Sequence, residues 1–532
     1  MSAEGGPSRP PAPAGTRGRI VMLVDNGVDG DSRVQKTARS AAAAGWDVVL
    51  IGRSPDNRRQ TRSLGEAEVW LIPVPGPLRQ PRHEYRRAPL RSPLAYPSGP
   101  LAAYRKQRVK AWRTDLYMRD VAIRLAAGRG GRRPGPRVLI RRARLIPLRL
   151  IAKLLGRWVM ARARRTDALR RRRTRLDARL DRLTTRLWRS VLGVRCWRRL
   201  DPHLWDWELA YGKVIDELAP DLIHANDFRM LGVGARAALR ARVRGRPVKL
   251  VWDAHEFLPG IKPWSDNPRW HPAQCAYERE YAPYADAVIT VSETLADLLV
   301  KEHGLPVRPA VVLNTPETAR RSDREPPGLR ALCGVGPDDP LVVYSGAAIA
   351  QRGLDVMIKA LPRLDGVHAA LIVARPAAPY VRELLALAAE LGVGDRVHAL
   401  PYVPHDQVVP FLSAADAGVI PIHHWPNHEI ALITKFFEYS HARLPIVVSD
   451  VETMAEVTRS TGQGEVFTAE DVDDYVRAVQ AVLADPKRYR AAYDAPGLLE
   501  RWTWEAQAET LDQIYGRLLR GGPARVPERT AT

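Results

Sequence analysis

The chain is poor in cysteine, in long apolar runs and in the glycine pattern of dinucleotide-binding loops. Each shortage excludes something. Its three cysteines, Cys196, Cys275 and Cys333, lie far apart and match no metal-ligand spacing. No disulfide framework follows from them, and a reducing compartment is expected. No stretch stays apolar for the roughly 18 residues that a membrane crossing needs, so no transmembrane helix is expected. Residues 1–18 are rich in Pro, Gly and Ala and hold no apolar core. They read as a disordered tail rather than a signal peptide, and residues 521–532 as a second tail. No G-x-G-x-x-G follows the first apolar run, which disfavours a nicotinamide cofactor. His, Cys, Asp and Glu do not cluster at metal spacing, so neither a metal nor a cofactor is expected.

What is abundant is positive charge, and it is unevenly spread. The 532 residues are 45% hydrophobic, enough for two or more domains with real cores. The net charge is +23, yet residues 81–200 alone hold 36 Lys and Arg against 6 Asp and Glu. That is a balance of +30, so the rest of the chain, at −7, is mildly acidic. Residues 81–100 are Pro-rich and read as extended, and 101–127 and 138–200 read as helix. Leu169, Leu176, Leu180, Leu183 and Leu187 share one helical face, with arginines on the others and Trp158, Trp188 and Trp197 interleaved. Three readings fit a basic amphipathic helix with tryptophans. It can adsorb to an anionic membrane, at about 1 kcal/mol per basic residue near the surface. It can bind nucleic acid, or it can lie solvated against its own domain. The membrane reading leads and nucleic acid is disfavoured, because phosphate binding needs no leucine stripe.

Around this insertion the chain alternates strand and helix. Residues 19–25 form a buried-strand run ending at Asn26-Gly27. Asp29 to Val34 make a loop, Ala38–Ala44 read as helix, and Val48–Ile51 and Val69–Val74 as strands. The rhythm resumes at Asp221-Leu222-Ile223-His224. Residues 248–256 read as a strand ending in Asp253-Ala254-His255-Glu256, a polar exit placed where open α/β sheets bind ligands. Ala287–Ser292 and Val311–Asn314 follow as strands, and residues 316–340 read as a linker. A second series runs from Leu341–Tyr344 with its Ser345-Gly346 turn, through Ala369–Val373, Val397–Leu400, Ala417–Ile422 and Ile446–Ser449. A last helix is expected from Trp502 to about Leu519.

Residues 422–450 attract most attention. Lys435-Phe436-Phe437-Glu438-Tyr439 sits between two apolar runs. Lys435 falls in a helix's first turn and Glu438 one turn on, on the same face. A cation and a carboxylate presented together suit a ligand with phosphates and a vicinal diol, such as a sugar nucleotide. An exposed Lys–Glu pair on a helix surface is the other reading.

Together these motifs resemble the group 1 (family 4) glycosyltransferases over roughly residues 18–75 and 210–520. The resemblance rests on Asp31-Ser32-Arg33-Val34, Gly45-Trp46-Asp47-Val48, Asp253-Ala254-His255-Glu256, Val291-Ser292 and Asn314 before Pro316. It continues through Tyr344-Ser345-Gly346, Arg352-Gly353-Leu354 and the Lys435–Tyr439 stretch running into Pro445–Asp450. It implies an α/β protein of the GT-B fold, two Rossmann-like domains facing each other across a cleft, with the basic helical insertion in the first. The acceptor domain spans 19–315 with the insertion at 80–210. A linker at 316–340, a donor domain at 341–500 and a crossing helix at 501–520 follow.

The resemblance also implies retention of anomeric configuration, no obligatory metal, and a nucleotide-diphosphate sugar as donor substrate. Glu438 matches the second Glu of the family's Glu-seven-residues-Glu pattern, which binds the ribose. The first Glu would fall at position 430, which is Ile430 here, so Glu429, Asn427 or His428 would have to substitute. Arg352 matches the residue contacting the leaving diphosphate. Its usual companion Arg is replaced by Ala347, which leaves Lys435 to share that work. Ser345 and Gly346 line the donor side, and Asp31, Arg33, His255 and Glu256 the acceptor side, with His255 near the reacting centre. The expected partners are a nucleotide sugar, a glycan or lipid-linked acceptor, and an anionic membrane surface bound through 101–200 at the inner face of the cell membrane. A nucleotide-sugar epimerase and a non-catalytic membrane scaffold of the same fold are the alternatives.

Overall fold

The computed structural model describes residues 15–75, 94–96, 99–128, 136–174, 179–261, 267–318 and 328–520. Both tails beyond these limits, most of the Pro-rich 81–100 stretch and Leu176 lie outside the described residues. Among the described residues no helix is long and apolar enough to cross a membrane.

Eight strands form the first sheet: β1 (Arg19–Leu23), β2 (Asp47–Arg53), β3 (Gln60–Leu64), β4 (Ala67–Ile72), β5 (Leu222–Asn226), β6 (Lys249–Ala254), β7 (Ala287–Thr290) and β8 (Ala310–Val311). Their order is β3-β4-β2-β1-β5-β6-β7-β8, parallel except for β3 against β4. The sequence gives no sign of β3, because Gln-Thr-Arg-Ser-Leu lies on the exposed edge and carries no apolar face. In β1, Ile20 and Met22 point to one side and Val21 and Leu23 to the other, all fully buried. A parallel sheet covered on both faces has this pattern. Trp197, Tyr211 and Tyr277 cover one face. Helix α1 (Ser32–Ala43) and the last helix, Trp504–Arg520, cover the other. Trp504, Leu511, Ile514 and Tyr515 are buried there, each contributing about 1.5–3 kcal/mol. The helix Trp504–Arg520 is thereby packed into the first domain.

The second sheet holds β9 (Leu341–Ser345), β10 (His368–Ile372), β11 (Val397–Leu400), β12 (Ala417–Ile420), β13 (Ile446–Ser449) and β14 (Gly464–Phe467). Their order is β11-β10-β9-β12-β13-β14, all parallel. Strand order therefore reverses between β9 and β12 here, and between β1 and β5 in the first sheet. Open α/β sheets bind ligands beyond the strand ends at such a reversal.

The expected linker is shorter than 316–340. Leu329–Cys333 is helical, and Leu329 and Cys333 are buried in the second domain's core with Tyr493 and Trp502. The insertion is helical as expected, divided into α2 (Gly99–Gly128), α3 (Pro136–Ala143), α4 (Leu145–Thr174) and α5 (Arg179–Leu192). Helices α2 and α4 run antiparallel, joined by Lys106–Asp167 near one end and Asp120–Arg149 near the other.

Candidate functional site

The second domain's wall of the cleft starts where β9 ends. After Ser345 the chain turns at Gly346, where a Cβ would lie 2.7 Å from the Tyr344 hydroxyl and 3.3 Å from Lys435 Cε. Residues Ala350–Arg352 then form a single helical turn closed by Gly353 at φ +64°. A Cβ on Gly353 would sit 2.0 Å from the Pro421 carbonyl oxygen, so only glycine fits there. This turn aims Arg352 along the cleft wall.

Opposite that turn begins helix Thr434–His441, with Lys435 in its first turn and no side chain capping its N-terminus. Phe436 and Phe437 are buried against Trp502 at ring separations of 5.7 and 5.6 Å, which fixes the helix's inner face. Tyr439 ties it to β9, its hydroxyl accepting the Ser345 N–H at 2.8 Å. Gly418 makes room beneath, since a Cβ there would lie 2.5 Å from the Tyr439 ring. Arg352 Nη1 is buried without a hydrogen-bond partner. Among the described residues neither Arg352 nor Lys435 has a carboxylate partner, and both line the same cleft. Glu438, one turn after Lys435, is 7% exposed and keeps Oε2 unpartnered. An orphaned buried acceptor of this kind costs about 1–3 kcal/mol unless a ligand completes it.

The facing wall comes from the first domain. Asp31 caps α1 by accepting the Val34 N–H at 3.3 Å and also accepts from Asn26 Nδ2 at 2.8 Å. Arg33 grips Asp253 with two hydrogen bonds of 2.9 Å and donates to the Val312 carbonyl at 2.7 Å. Burial opposes ionisation of Asp253, but Arg33 and then His255 outweigh it and hold the carboxyl well below the usual range. His255 Nε2 lies 3.1 Å from Asp253 Oδ2. Burial disfavours its imidazolium, yet the Asp253 charge prevails and raises its pKa. Behind them, the Tyr515 hydroxyl and His224 Nδ1 are 2.8 Å apart, and His224 Nε2 is 3.6 Å from Asp253. A further group, Asp227, starts the helix after β5 at φ +65°. Burial pushes its carboxyl up to about 6, against the pull of His255 and helped by Glu256 and Asp25. Only its position at a strand exit marks it in the sequence.

Between the walls lies a cleft of about 450 Å³, within the usual range for small-molecule sites. It brings together Asp31, Arg33, His255, Ser345, Gly346, Arg352 and Lys435. Glu438 lies outside its lining, one helical turn beyond Lys435. The structure alters three assignments. Arg33 is 4% exposed and engaged through Nε, Nη1 and Nη2, so it braces the acceptor wall rather than reaching for an acceptor. Glu256 is exposed and does not line the cleft. Glu429 does not line the cleft and is engaged on both oxygens: Oε1 is 2.7 Å from His424 Nδ1, and Oε2 accepts the Glu452 N–H at 2.8 Å, at the start of helix Glu452–Thr461. Of the other candidates beside Ile430, Asn427 is occupied in accepting the Phe257 N–H of the facing domain at 3.0 Å. His428 stacks on Trp425 and bonds the His423 carbonyl at 2.7 Å.

Two family profiles match the chain. The one for glycosyl transferases group 1 matches residues 333–495, and the one for glycosyltransferase family 4 matches residues 158–320. The D-inositol 3-phosphate glycosyltransferase of Xylanimonas cellulosilytica is 28% identical over 260 residues, covering 47% of this chain and 61% of that protein. D-inositol 3-phosphate glycosyltransferase 1 of Catenulispora acidiphila is 26% identical over 329 residues, covering 57% and 74%. With the first of these the chain matches less than two thirds of its relative's length. Among solved structures, sucrose-phosphate synthase from Thermosynechococcus elongatus superposes with a TM-score of 0.57 at 16% identity, covering 94% of this chain and 99% of that one. The E. coli trehalose-6-phosphate protein bound with UDP-2-fluoro glucose gives 0.52 at 11% identity, covering 95% and 100%. These likenesses are of fold, and the fold is GT-B.

Proposed function

Because the chain belongs to the group 1 (family 4) glycosyltransferases, we propose that it moves a sugar from a nucleotide-diphosphate sugar onto a lipid-linked or polysaccharide acceptor at the cytoplasmic membrane face, retaining anomeric configuration. One observation carries this reading. Two cations without carboxylate partners, Arg352 and Lys435, share one cleft wall, and one turn beyond them Glu438 has an unpartnered carboxylate oxygen. As the bond from the anomeric carbon to the diphosphate breaks, charge grows on the departing phosphate. Arg352, Lys435 and the N-terminus of helix Thr434–His441 stabilise that charge without a divalent cation. Glu438 holds the ribose hydroxyls and His255 orients the acceptor. The acceptor oxygen bonds to the same face of the anomeric carbon as the phosphate leaves, and its proton passes to the departing phosphate oxygen. The E. coli structural neighbour binds a UDP-sugar analogue, which supports a sugar-nucleotide donor, while the relatives are named for an inositol phosphate, an acceptor that the test has to include.

The test is release of nucleoside diphosphate from a panel of sugar nucleotides, with and without membrane-lipid extract or inositol phosphate, and the anomeric configuration of the product by NMR. Arg352→Ala and Glu438→Ala are each expected to lower turnover about 100-fold or more, roughly 3–4 kcal/mol of barrier, with the fold intact by circular dichroism. Near wild-type turnover in either variant refutes the donor assignment. The scaffold reading draws on Ala347 and on the commitment of Glu429 to His424 and Glu452. It predicts sugar-nucleotide binding without turnover.

A further inference from the structure

Helix α4 has two apolar faces, and only one is used. Leu145, Ala152, Val159 and Ala163 are buried against α2, and among the described residues the hydrophobic clusters there consist of the insertion's own residues, with Tyr96 ahead of α2 joining one of them. Leu154 lies two residues from Ala152, about 200° round the helix. There Ile146, Leu150, Ile151, Leu154, Leu155 and Trp158 stand between 41% and 63% exposed. Lys153, Arg157, Arg164 and Arg165 are exposed on the same helix. Helix α5 repeats the arrangement. Trp188 and Leu192 pack on the first domain's core, while Leu183, Leu187 and Val191 are more than half exposed. Contiguous exposed apolar side chains on this scale mark an interaction site.

We propose that the outer faces of α4 and α5 lie in the interface of an anionic lipid bilayer, and that they hold the acceptor wall of the cleft against it. This rests on the glycosyltransferase reading for its second half only. Charge selects the occupant. Basic side chains are interspersed with the apolar ones, so aliphatic and indole groups enter the acyl boundary while guanidinium and ammonium groups extend to lipid phosphates. A second copy of this chain would bring the same positive charge to the contact, and nucleic acid would have no use for the apolar row.

The root of the insertion supplies the orientation. Arg269, just ahead of helix Trp270–Tyr281, bonds Asp181 of α5. Glu280 of that helix takes two hydrogen bonds from Arg198, at 2.6 and 2.7 Å, and one from Trp197 Nε1 at 2.6 Å. His271 of the same helix contacts the Leu258 carbonyl at 2.9 Å, on the loop that carries His255. A bilayer under α5 is thus linked through one helix to the acceptor-side histidine, which suits an acceptor presented by a lipid. Of the leucine row expected from the sequence, Leu183 and Leu187 are on this face, and Ile146–Trp158 adds to it.

Flotation of the full chain with phosphatidylcholine vesicles, with and without phosphatidylglycerol, tests the proposal. The wild type should float only with the anionic vesicles. The triple variant Leu150→Ser, Leu154→Ser, Trp158→Ser changes no residue of the α2 seam and should partition at least about tenfold more weakly, with its melting temperature and its shift on adding UDP-glucose both kept. Undiminished flotation of that variant overturns the proposal. So does equal flotation on neutral vesicles, a wild-type dimer that the variant dissolves without any vesicle binding, or preference for a nucleic-acid homopolymer over the vesicles. Loss of flotation in wild type with the UDP-glucose shift intact sinks the docking alone. Flotation with no sugar-nucleotide shift or turnover sinks the enzyme reading instead.

Discussion

Lys36 shows how one buried side chain can couple the two lobes. It is 5% exposed and lies over the Trp504 ring, 4.7 Å from its centroid. Its ammonium donates to Asn314 Oδ1 at 3.0 Å and to the Thr315 carbonyl. Asn314 Nδ2 in turn donates to Thr434 Oγ1 at 2.9 Å, at the head of the helix that carries Lys435 and Glu438. Burial, and then the neighbouring Arg33 charge, push the Lys36 pKa from 10.5 down to about 7, against the opposing pull of Glu317 and Glu438. Between pH 7 and 10.5 the unfolded chain keeps a proton that the folded chain gives up, so stability rises with pH across that window. Below pH 7 both states hold the proton and the penalty is present in full. From pH 7 to pH 8.5 the wild type should gain about 2 kcal/mol or less relative to Lys36→Met, seen as a change of a few degrees in their melting-temperature difference. A difference that does not move with pH means the amine titrates normally and the coupling is absent.

At the scale of elements, the crossing helix Trp504–Arg520 adds polar contacts to its apolar face. Asp512 accepts from Arg17 and from Trp46 Nε1, Trp504 Nε1 donates to Ser40, and the Tyr515 hydroxyl meets the buried His224. Tyr515→Phe leaves His224 Nδ1 buried with no partner, and His224 Nε2 already lacks one of good geometry. A loss of about 1–3 kcal/mol is expected, read as an earlier denaturant midpoint. An unchanged midpoint rules out the contact's role. The elements themselves were largely legible in the sequence. Continuous apolar runs mark parallel strands buried on both faces, and Lys435 and Glu438 announce their helix by spacing alone. What the sequence hides is long-range commitment. Arg33 looks like a free loop cation until Asp253, 220 residues away, is seen to occupy it. Glu429 looks like a near-miss of the family pattern until Glu452 claims it from beyond β13. The stretch Ile146–Trp158 reads only as part of a basic helix, and it takes the α2 seam to show which of its apolar side chains are buried and which are left outside.

At the scale of the molecule, the two lobes meet through few and specific contacts, and their closeness has a steric basis. Ser292 Oγ donates to the Ile430 carbonyl, and the Phe257 N–H donates to Asn427 Oδ1 at 3.0 Å. Beside them a Cβ on Gly260 would lie 3.0 Å from Pro426 Cβ and 3.2 Å from Phe257 Cδ1. Glycine there lets the acceptor-side loop approach the short Pro426–Glu429 helix of the donor lobe. Gly260→Val should wedge the lobes apart. The proposed donor residues Arg352, Lys435 and Glu438 all belong to the second domain, so sugar-nucleotide binding should survive, with the melting shift on UDP-glucose within error of wild type. Transfer needs His255 and the donor within reach of each other, so turnover should fall by about tenfold or more, as small misplacements do. Equal loss of donor binding and turnover would mean that the lobes assemble the donor site jointly. Full turnover would mean that closure at Gly260 plays no part.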